Sequence, residues 1–359
     1  MDRKIYQIYG QDAHRMTLSL LEASEAHRLV PEGGSVALKP NLVIAGAPED
    51  GATTHPGVLS GCIEYFRALG VRDISVIEGS WVGDETMRAM RRAGYDRVCK
   101  QYDVPFHDLK RDRTRPVKTA IGAIDVCCRA LDAGLLVDLP VLKGHCQTVM
   151  TCALKNLKGC LPDKEKRRFH AMGLTRPIAA LGAAVKPRLI IVDSICGDLN
   201  FEEGGTPVQT NRMFLGFDPV QVDAYGCALM GLNLSEVPYI ELAEQFGAGK
   251  SEWSERDLVE LNSASDAPAY PKPRGTVAAL TRRVHENQAC SACFAALVRA
   301  LHTSGLGKDR EIYIGQGWQG RPIDGLGIGK CCRGASQCVM GCPPTAEAIA
   351  NKLEDLNWQ

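Results

Sequence analysis

Six of the chain's fifteen cysteines fall within its last 70 residues, at positions 290, 293, 331, 332, 338 and 342. This clustering constrains the chain more than any other feature. Cys290-Ser291-Ala292-Cys293 opens a helical run through Phe294, Leu297, Val298 and Leu301. A short strand at Glu311–Ile314 leads into a loop laced with Gly315, Gly317, Gly320, Gly325, Gly327 and Gly329. Cys331, Cys332, Cys338 and Cys342 follow, then Pro343-Pro344 and a final helix from Thr345. Two thiolates separated by two residues can bind one metal centre from a single turn, and a second group about 40 residues on completes four ligands. Glycines let backbone approach a bulky inorganic core and point N–H groups at its sulfurs. The pattern predicts an iron–sulfur cluster held by Cys290, Cys293 and two of the four later cysteines. The spacing Cys338-x-x-x-Cys342-Pro343 favours Cys338 beside Cys342. Zinc and a redox dithiol are the alternatives, but a zinc ribbon usually has two tight cysteine pairs, and the second group here is spread out.

The other cysteines carry less information. The chain opens without an apolar run behind a basic start, so a secretory leader is not expected. No stretch reaches the roughly 18 uninterrupted apolar residues of a membrane span. A cytoplasmic, reducing location is therefore expected, in which structural disulfides are rare. Cys62, Cys99, Cys127, Cys128, Cys196 and Cys227 sit in apolar patterns and read as small buried hydrophobes. With 42 basic and 42 acidic residues, the chain gives no electrostatic reason to expect nucleic acid or an anionic membrane as partner.

Residues 1–265 alternate short apolar runs with longer amphipathic ones. Val36–Leu38 reads as a strand, Pro56–Leu69 as a helix closed by Gly70, and Ile74–Ile77 as a second strand, together a βαβ unit. The same grammar recurs in the strands Gly134–Leu139 and Arg188–Asp193. Asp218-Pro219 starts a helix that Gly231 ends. The expected fold class is α/β, a mainly parallel sheet with helices on both faces, plus a small C-terminal iron–sulfur module. The polar, proline-rich stretch with Pro268, Pro271 and Pro273 suggests a linker over residues 266–289 and a module over 290–359. Gly315-x-Gly317-x-x-Gly320 matches a dinucleotide fingerprint, but Arg321-Pro322 follows where a helix must open, so that reading is set aside.

Several stretches together resemble a known family, the domain of unknown function numbered 362. They are Lys39-Pro40-Asn41, Thr53-Thr54-His55-Pro56, Leu139–His145 and Ala153-Leu154-Lys155-Asn156-Leu157-Lys158-Gly159. Toward the end come Ile314–Gly317, Gly327-Ile328-Gly329-Lys330-Cys331 and Gly341-Cys342-Pro343-Pro344. Many members carry a C-terminal iron–sulfur segment. The resemblance implies Cys290, Cys293, Cys331 and Cys342 as ligands of a [4Fe–4S] cluster, with Cys332 and Cys338 as extras; [2Fe–2S] needs four ligands equally. The family brings no settled reaction.

Ligand sites in open parallel sheets lie beyond the carboxyl ends of strands. Lys39 and Asn41, Lys143 and His145, Asp193, and Lys155 and Asn156 fall at or after such ends, and His55 precedes a helix. Three lysines would favour an anionic small molecule, with Lys143, His145 and Lys155 as acid–base candidates and Lys39, Asn41, His55 and Asn156 as binding residues. His170, after the basic run Lys164–Arg168, is expected in an exposed loop. Glu202–Pro207 is expected as a turn-rich loop whose carboxylates face the basic pocket as a lid or bind a cation. The function expected is a redox enzyme acting on an anionic small molecule through a redox partner protein. A non-catalytic electron carrier or sensor and a zinc-stabilised binding or transfer protein are the alternatives.

Overall fold

The computed structural model describes residues 3–202, 206–263, 268–271, 276–307 and 309–357. Its strands, in chain order, are β1 (Ile5–Tyr9), β2 (Val36–Pro40), β3 (Ile74–Glu78), β4 (Phe106–Asp108), β5 (Thr114–Thr119), β6 (Gly122–Cys127), β7 (Leu135–Leu139), β8 (Lys143–His145), β9 (Val149–Thr151), β10 (Leu189–Asp198), β11 (Pro207–Gly216), β12 (Leu258–Glu260), β13 (Val284–Glu286), β14 (Ile312–Ile314), β15 (Ile323–Ile328) and β16 (Ala335–Val339).

Eight of them form one sheet in the order β12-β1-β11-β10-β7-β2-β3-β4. The run from β10 through β7, β2 and β3 to β4 is parallel throughout. The central strands β2, β7 and β10 are buried throughout, and their side chains alternate between the two faces of the sheet. Val36 and Leu38 belong to the core on one face and Ala37 to the other; likewise Leu189 and Ile191 oppose Ile190 and Val192. That period of two places a core on each side of the sheet, each covered by helices. The helix Pro56–Ala68 packs on the first face and Thr175–Val185 and Pro219–Leu229 on the second. As expected, Asp218 caps the last of these, accepting from Val220 N at 2.8 Å. Strand β11 was not anticipated: it lies antiparallel between β1 and β10. Its first half is polar and half-exposed, so no apolar run announces it.

The C-terminal region is a second sheet of four strands in sequence order, β13-β14-β15-β16, all parallel. Strand β13 lies inside the span read as a linker. The helix Thr276–Leu280 before it contributes Leu280 to the same core as Leu297, Ile314 and Ile349. That unit therefore begins near residue 276 rather than 290, because the short β13 gains its stability from non-local pairing with β14. The helix Ser291–Ser304 connects β13 to β14. Gly315 shows why the following loop is glycine-rich. At φ 124° its added Cβ would stand 1.9 Å from the Asn287 carbonyl oxygen, so only glycine allows this approach.

The two sheets are fastened together. The Gln147 side chain donates to Glu286 and to the Ala289 carbonyl, both at 3.1 Å, and accepts from Ser291 Oγ at 2.9 Å. Phe201 of the larger unit packs into the smaller unit's core. Gly83 approaches Pro343 so closely that a Cβ would stand 2.5 Å from its Cδ. No helix among the described residues is long and apolar enough to cross a membrane.

Candidate functional site

The parallel strands of both sheets point their carboxyl ends toward one region. From the large sheet, Asn41 and Val43 follow β2, and Gly79, Trp81 and Val82 follow β3. With Thr151, Lys155, Asn156, Lys158, Lys166, His170 and Glu202 these residues line a polar pocket closed by Cys290, Ser291 and Ala292 of the C-terminal unit.

The pocket's buried charges are arranged in two layers. Behind it, the Lys39 ammonium pairs with Glu78 at 3.0 Å, both side chains sealed from solvent. Burial alone would lower the Lys39 pKa, but Glu78 and Asp138 hold it above the ordinary lysine value. The turn at Leu157–Cys160 presses on this pair: a Cβ on Gly159 would stand 1.9 Å from Glu78 Oε1. That contact explains the glycine in the Leu-Lys-Gly motif. Asn156 Nδ2 donates to Asp138 Oδ1 at 2.8 Å, and burial pushes the Asp138 carboxyl up to about 7.

Glu202 organises the other side. Lys155 Nζ lies 2.5 Å from its Oε1 and His145 Nε2 lies 2.6 Å from its Oε2. Burial would raise this carboxyl, yet His145, Lys155 and Lys143 together hold it well below the usual range. His145 Nδ1 accepts from the Gln147 and Thr148 backbone N–H groups at 2.9 and 3.1 Å. That places the ring's proton on Nε2, facing Glu202, and burial brings the imidazole down to about 4, so the ring is neutral. Lys143 Nζ donates to the backbone oxygens of Ala52 and Glu202, at 2.5 and 2.9 Å.

Of the residues read from the sequence, Asn41, Lys155 and Asn156 line the pocket, whereas Lys39, Lys143, His145 and His55 do not. The first three of those four sit one layer back as supports. His55 caps the helix Pro56–Ala68, its Nδ1 accepting from Gly57 N at 3.0 Å. Asp193 is likewise committed, accepting from the backbone N–H groups of His55 and Ile195. The acidic loop expected as a lid is different in kind: Glu202 is buried in the pocket wall, and Glu203 lies outside the described residues.

Three pocket residues escaped the sequence reading. His170 is not in an exposed loop. It lies buried in the helix Asp163–Ala171, whose inner face turns toward the pocket. The amphipathic spacing of Lys166, Phe169 and His170 was the available signal, masked by the basic run around it. Lys166 donates to the Gly79 and Ser80 carbonyls at 3.0 and 2.7 Å. Lys158 Nζ stands 3.2 Å from His170 Nε2 and has no carboxylate partner among the described residues. Burial, reinforced by Lys155, pushes Lys158 down to about 7; burial also brings Lys166 to about 8 and His170 well below its ordinary value.

A second cavity adjoins the first. The loops leaving the carboxyl ends of all four C-terminal strands converge on it, bringing Cys290 and Cys293 after β13, Gly315 and Gln316 after β14, Cys331 after β15 and Cys342 after β16. Burial raises the Cys290 thiol, and Cys331 and Cys342 raise it further. Arg167 and Lys330 also line the cavity. Cys332 and Cys338 do not; Cys332 is buried beneath the loop, and its pKa is pushed by burial to about 11. Among the described residues, no group of three or more His, Cys, Asp or Glu is placed to hold a metal ion. The motif Gly315-x-Gly317-x-x-Gly320 enters a one-turn 3-10 segment instead of an α-helix, which agrees with setting aside the dinucleotide reading.

Residues 36–228 match the family described as "Domain of unknown function (DUF362)". The chain belongs to the DUF362 family. All pocket residues from Asn41 to Glu202 fall inside the matched segment, whereas the cavity cysteines lie beyond it. The thylakoid-associated protein sll1697 of Synechocystis sp. is 25% identical to this DUF362 chain over 230 residues, covering 61% of this chain and 70% of that protein. Among solved structures, the lactate racemase apoprotein from Thermoanaerobacterium thermosaccharolyticum aligns with a TM-score of 0.44 at 16% identity. The alignment covers 66% of this chain and 59% of the racemase chain, a likeness too loose to bear on function.

Proposed function

We propose that this protein is an iron–sulfur redox enzyme acting on a small anion, with Cys290, Cys293, Cys331 and Cys342 as ligands of a [4Fe–4S] cluster. One observation carries the reading: Val82, Cys290 and Ala292 form a wall common to the thiol cavity and the polar pocket. A centre bound in the first would stand directly against a ligand bound in the second.

The donor set suits the cluster. Burial and the neighbouring thiols raise the pKa values of Cys290, Cys293 and Cys331, a cost that a cationic core would offset. Arg167 and Lys330 complement the charge of four thiolates. The glycines of the converging loops leave room for bulk and bring backbone N–H groups near sulfur. A single tetrahedral zinc ion would require thiolates within about 4 Å of one another, given Zn–S bonds of about 2.3 Å.

When bound, the cluster supplies single electrons to or from its neighbour. The chain's own residues do the rest. Lys155, Lys158 and Lys166 attract and orient the anion. Glu202 and Glu78 hold their lysine partners in place. His170, with Lys158 against its Nε2, offers a proton at Nδ1. Trp81 and Val82 cover the site from water.

Anaerobic purification with iron, sulfide and zinc quantified, followed by electron paramagnetic resonance of the reduced form, tests the reading. A brown protein with equal iron and sulfide and a reducible paramagnetic centre is expected. A colourless protein with stoichiometric zinc would defeat it.

A further inference from the structure

We propose that the pocket beside Cys290 is built for a short-chain monocarboxylate, a ligand with one singly charged oxyanion end and an apolar tail. The inference deepens the function proposed above and rests on the pocket being that enzyme's substrate site.

The pocket is two-sided. One wall comes from the segment Thr151–Gly159 and the helix Asp163–Ala171 and carries Lys155, Lys158, Lys166 and His170. The other comes from the loops after β2 and β3 and from the cysteine helix, and presents Val43, Trp81, Val82 and Ala292. A wholly hydrophilic anion would leave the second wall unused, and a neutral apolar ligand would leave Lys158 buried without a counter-charge among the described residues.

Unmet donors occur on both walls. A lysine ammonium can only donate, so His170 Nε2 accepts from Lys158 and the imidazole proton sits on Nδ1. That Nδ1 is buried and has no partner among the described residues; the same is true of Thr151 Oγ1 and Trp81 Nε1, both from pocket-lining residues. Buried polar groups are ordinarily satisfied. Here three such atoms gather around one pocket, along with a lysine lacking a carboxylate. Together they call for a ligand rich in acceptors at one end.

Charge fixes the valence. Of the pocket's three lysines, Lys155 pairs with Glu202 and Lys166 lies 3.8 Å from Asp163, leaving Lys158 as the one positive charge in surplus among the described residues. One layer back, Lys39 pairs with Glu78, and Lys143 donates to the Ala52 and Glu202 carbonyls. A single surplus charge in a buried site is matched by a monoanion; a phosphate dianion would overshoot it. No arginine lines the pocket to grip a phosphate by two prongs. The cavity volume, about 70 Å³, suits a carboxylate and a few carbons and is small against the roughly 300–1,000 Å³ of drug-sized ligand sites.

Titration calorimetry on the full chain, purified anaerobically, tests this with three probes: butyrate, its neutral isostere butyramide, and inorganic phosphate. Butyrate should bind at one site, and the other two more weakly by about ten-fold or more, the value of a charge-assisted hydrogen bond. Lys158→Met should cost butyrate a similar factor, whereas Lys250→Met, in a separate surface groove, should leave binding unchanged. Equal binding of butyramide or phosphate by the unsubstituted protein would overturn the proposal, as would undiminished butyrate affinity in Lys158→Met. Iron and sulfide assayed on the same samples separate the two readings. Cluster-loaded protein that ignores butyrate sinks the ligand class alone. Iron-free protein that binds butyrate selectively keeps the ligand class and sinks the redox function.

Discussion

The two cavities that meet at Cys290 are built on opposite principles. In the pocket, the main supporting charges are paired by the protein itself: Lys39 with Glu78, and Lys155 and His145 with Glu202. In the neighbouring cavity, four cysteines converge on loops and offer sulfur little in return; Gln316 Nε2 reaches Cys290 Sγ only at 3.6 Å. The first site is pre-organised by helices and strands that fold around their own counter-ions. The second is a set of cysteines whose mutual repulsion as thiolates the proposed cationic core would relieve. A buried ion pair therefore belongs to folding on one side of Cys290, and on the proposed reading a bound centre would belong to folding on the other.

The largest effect expected is at Glu202. Glu202→Ala removes the only carboxylate within ion-pair reach of Lys155 among the described residues, leaving a buried ammonium uncompensated. The expected loss is about 3–5 kcal/mol, read by urea unfolding. A loss below about 1 kcal/mol would show that the pocket is no more self-sufficient than the thiol cavity.

Next comes Cys293→Ala, which should abolish most iron binding and make residues 276–357 protease-sensitive while leaving the large sheet folded. Limited proteolysis with mass spectrometry checks this. Collapse of the whole chain would erase the distinction between the two regions.

A smaller effect concerns pH. The folded-state pKa of Lys158, at about 7, lies below the unfolded value. Its protonation therefore opposes folding, fully so below pH 7 and fading as pH rises toward the unfolded value. Lys158→Met should raise the melting temperature more at pH 6 than at pH 9. Butyrate affinity in the unsubstituted protein should fall above pH 7, approaching about ten-fold per unit. Calorimetry from pH 6 to 9 reads both the slope and the proton uptake. A flat profile would remove Lys158 from the anion's partners.

The smallest effect expected is at Cys338, which does not line the cavity. Cys338→Ser should retain its iron where Cys331→Ser loses it. The reverse pattern would exchange the two ligands and restore the preference suggested by the Cys-x-x-x-Cys-Pro spacing.

Much of this was legible in the chain. Cys290-x-x-Cys293 at the start of a helix, the glycine loops, the βαβ unit around Pro56–Ala68 and the Asp218 cap are local patterns, settled by residues a few positions apart. Asn41, Lys155 and Asn156 were found by the rule that sites follow parallel strands. The supporting roles of Lys39, Lys143 and His145 were not, nor was the place of Lys158 and His170 in the pocket.

The amino-acid order alone determined the type and approximate span of the main helices and strands, the family, and which cysteines are near enough in sequence to act together, because propensity, capping and short-range spacing act within a few residues. Only the tertiary structure decided which lysines line the pocket and which sit one layer back on a buried carboxylate. Such pairing depends on partners brought together from distant positions, as Glu78 is to Lys39 and Glu202 to Lys155, and Coulomb energy is governed by distance in space and by burial, neither of which the sequence spacing records.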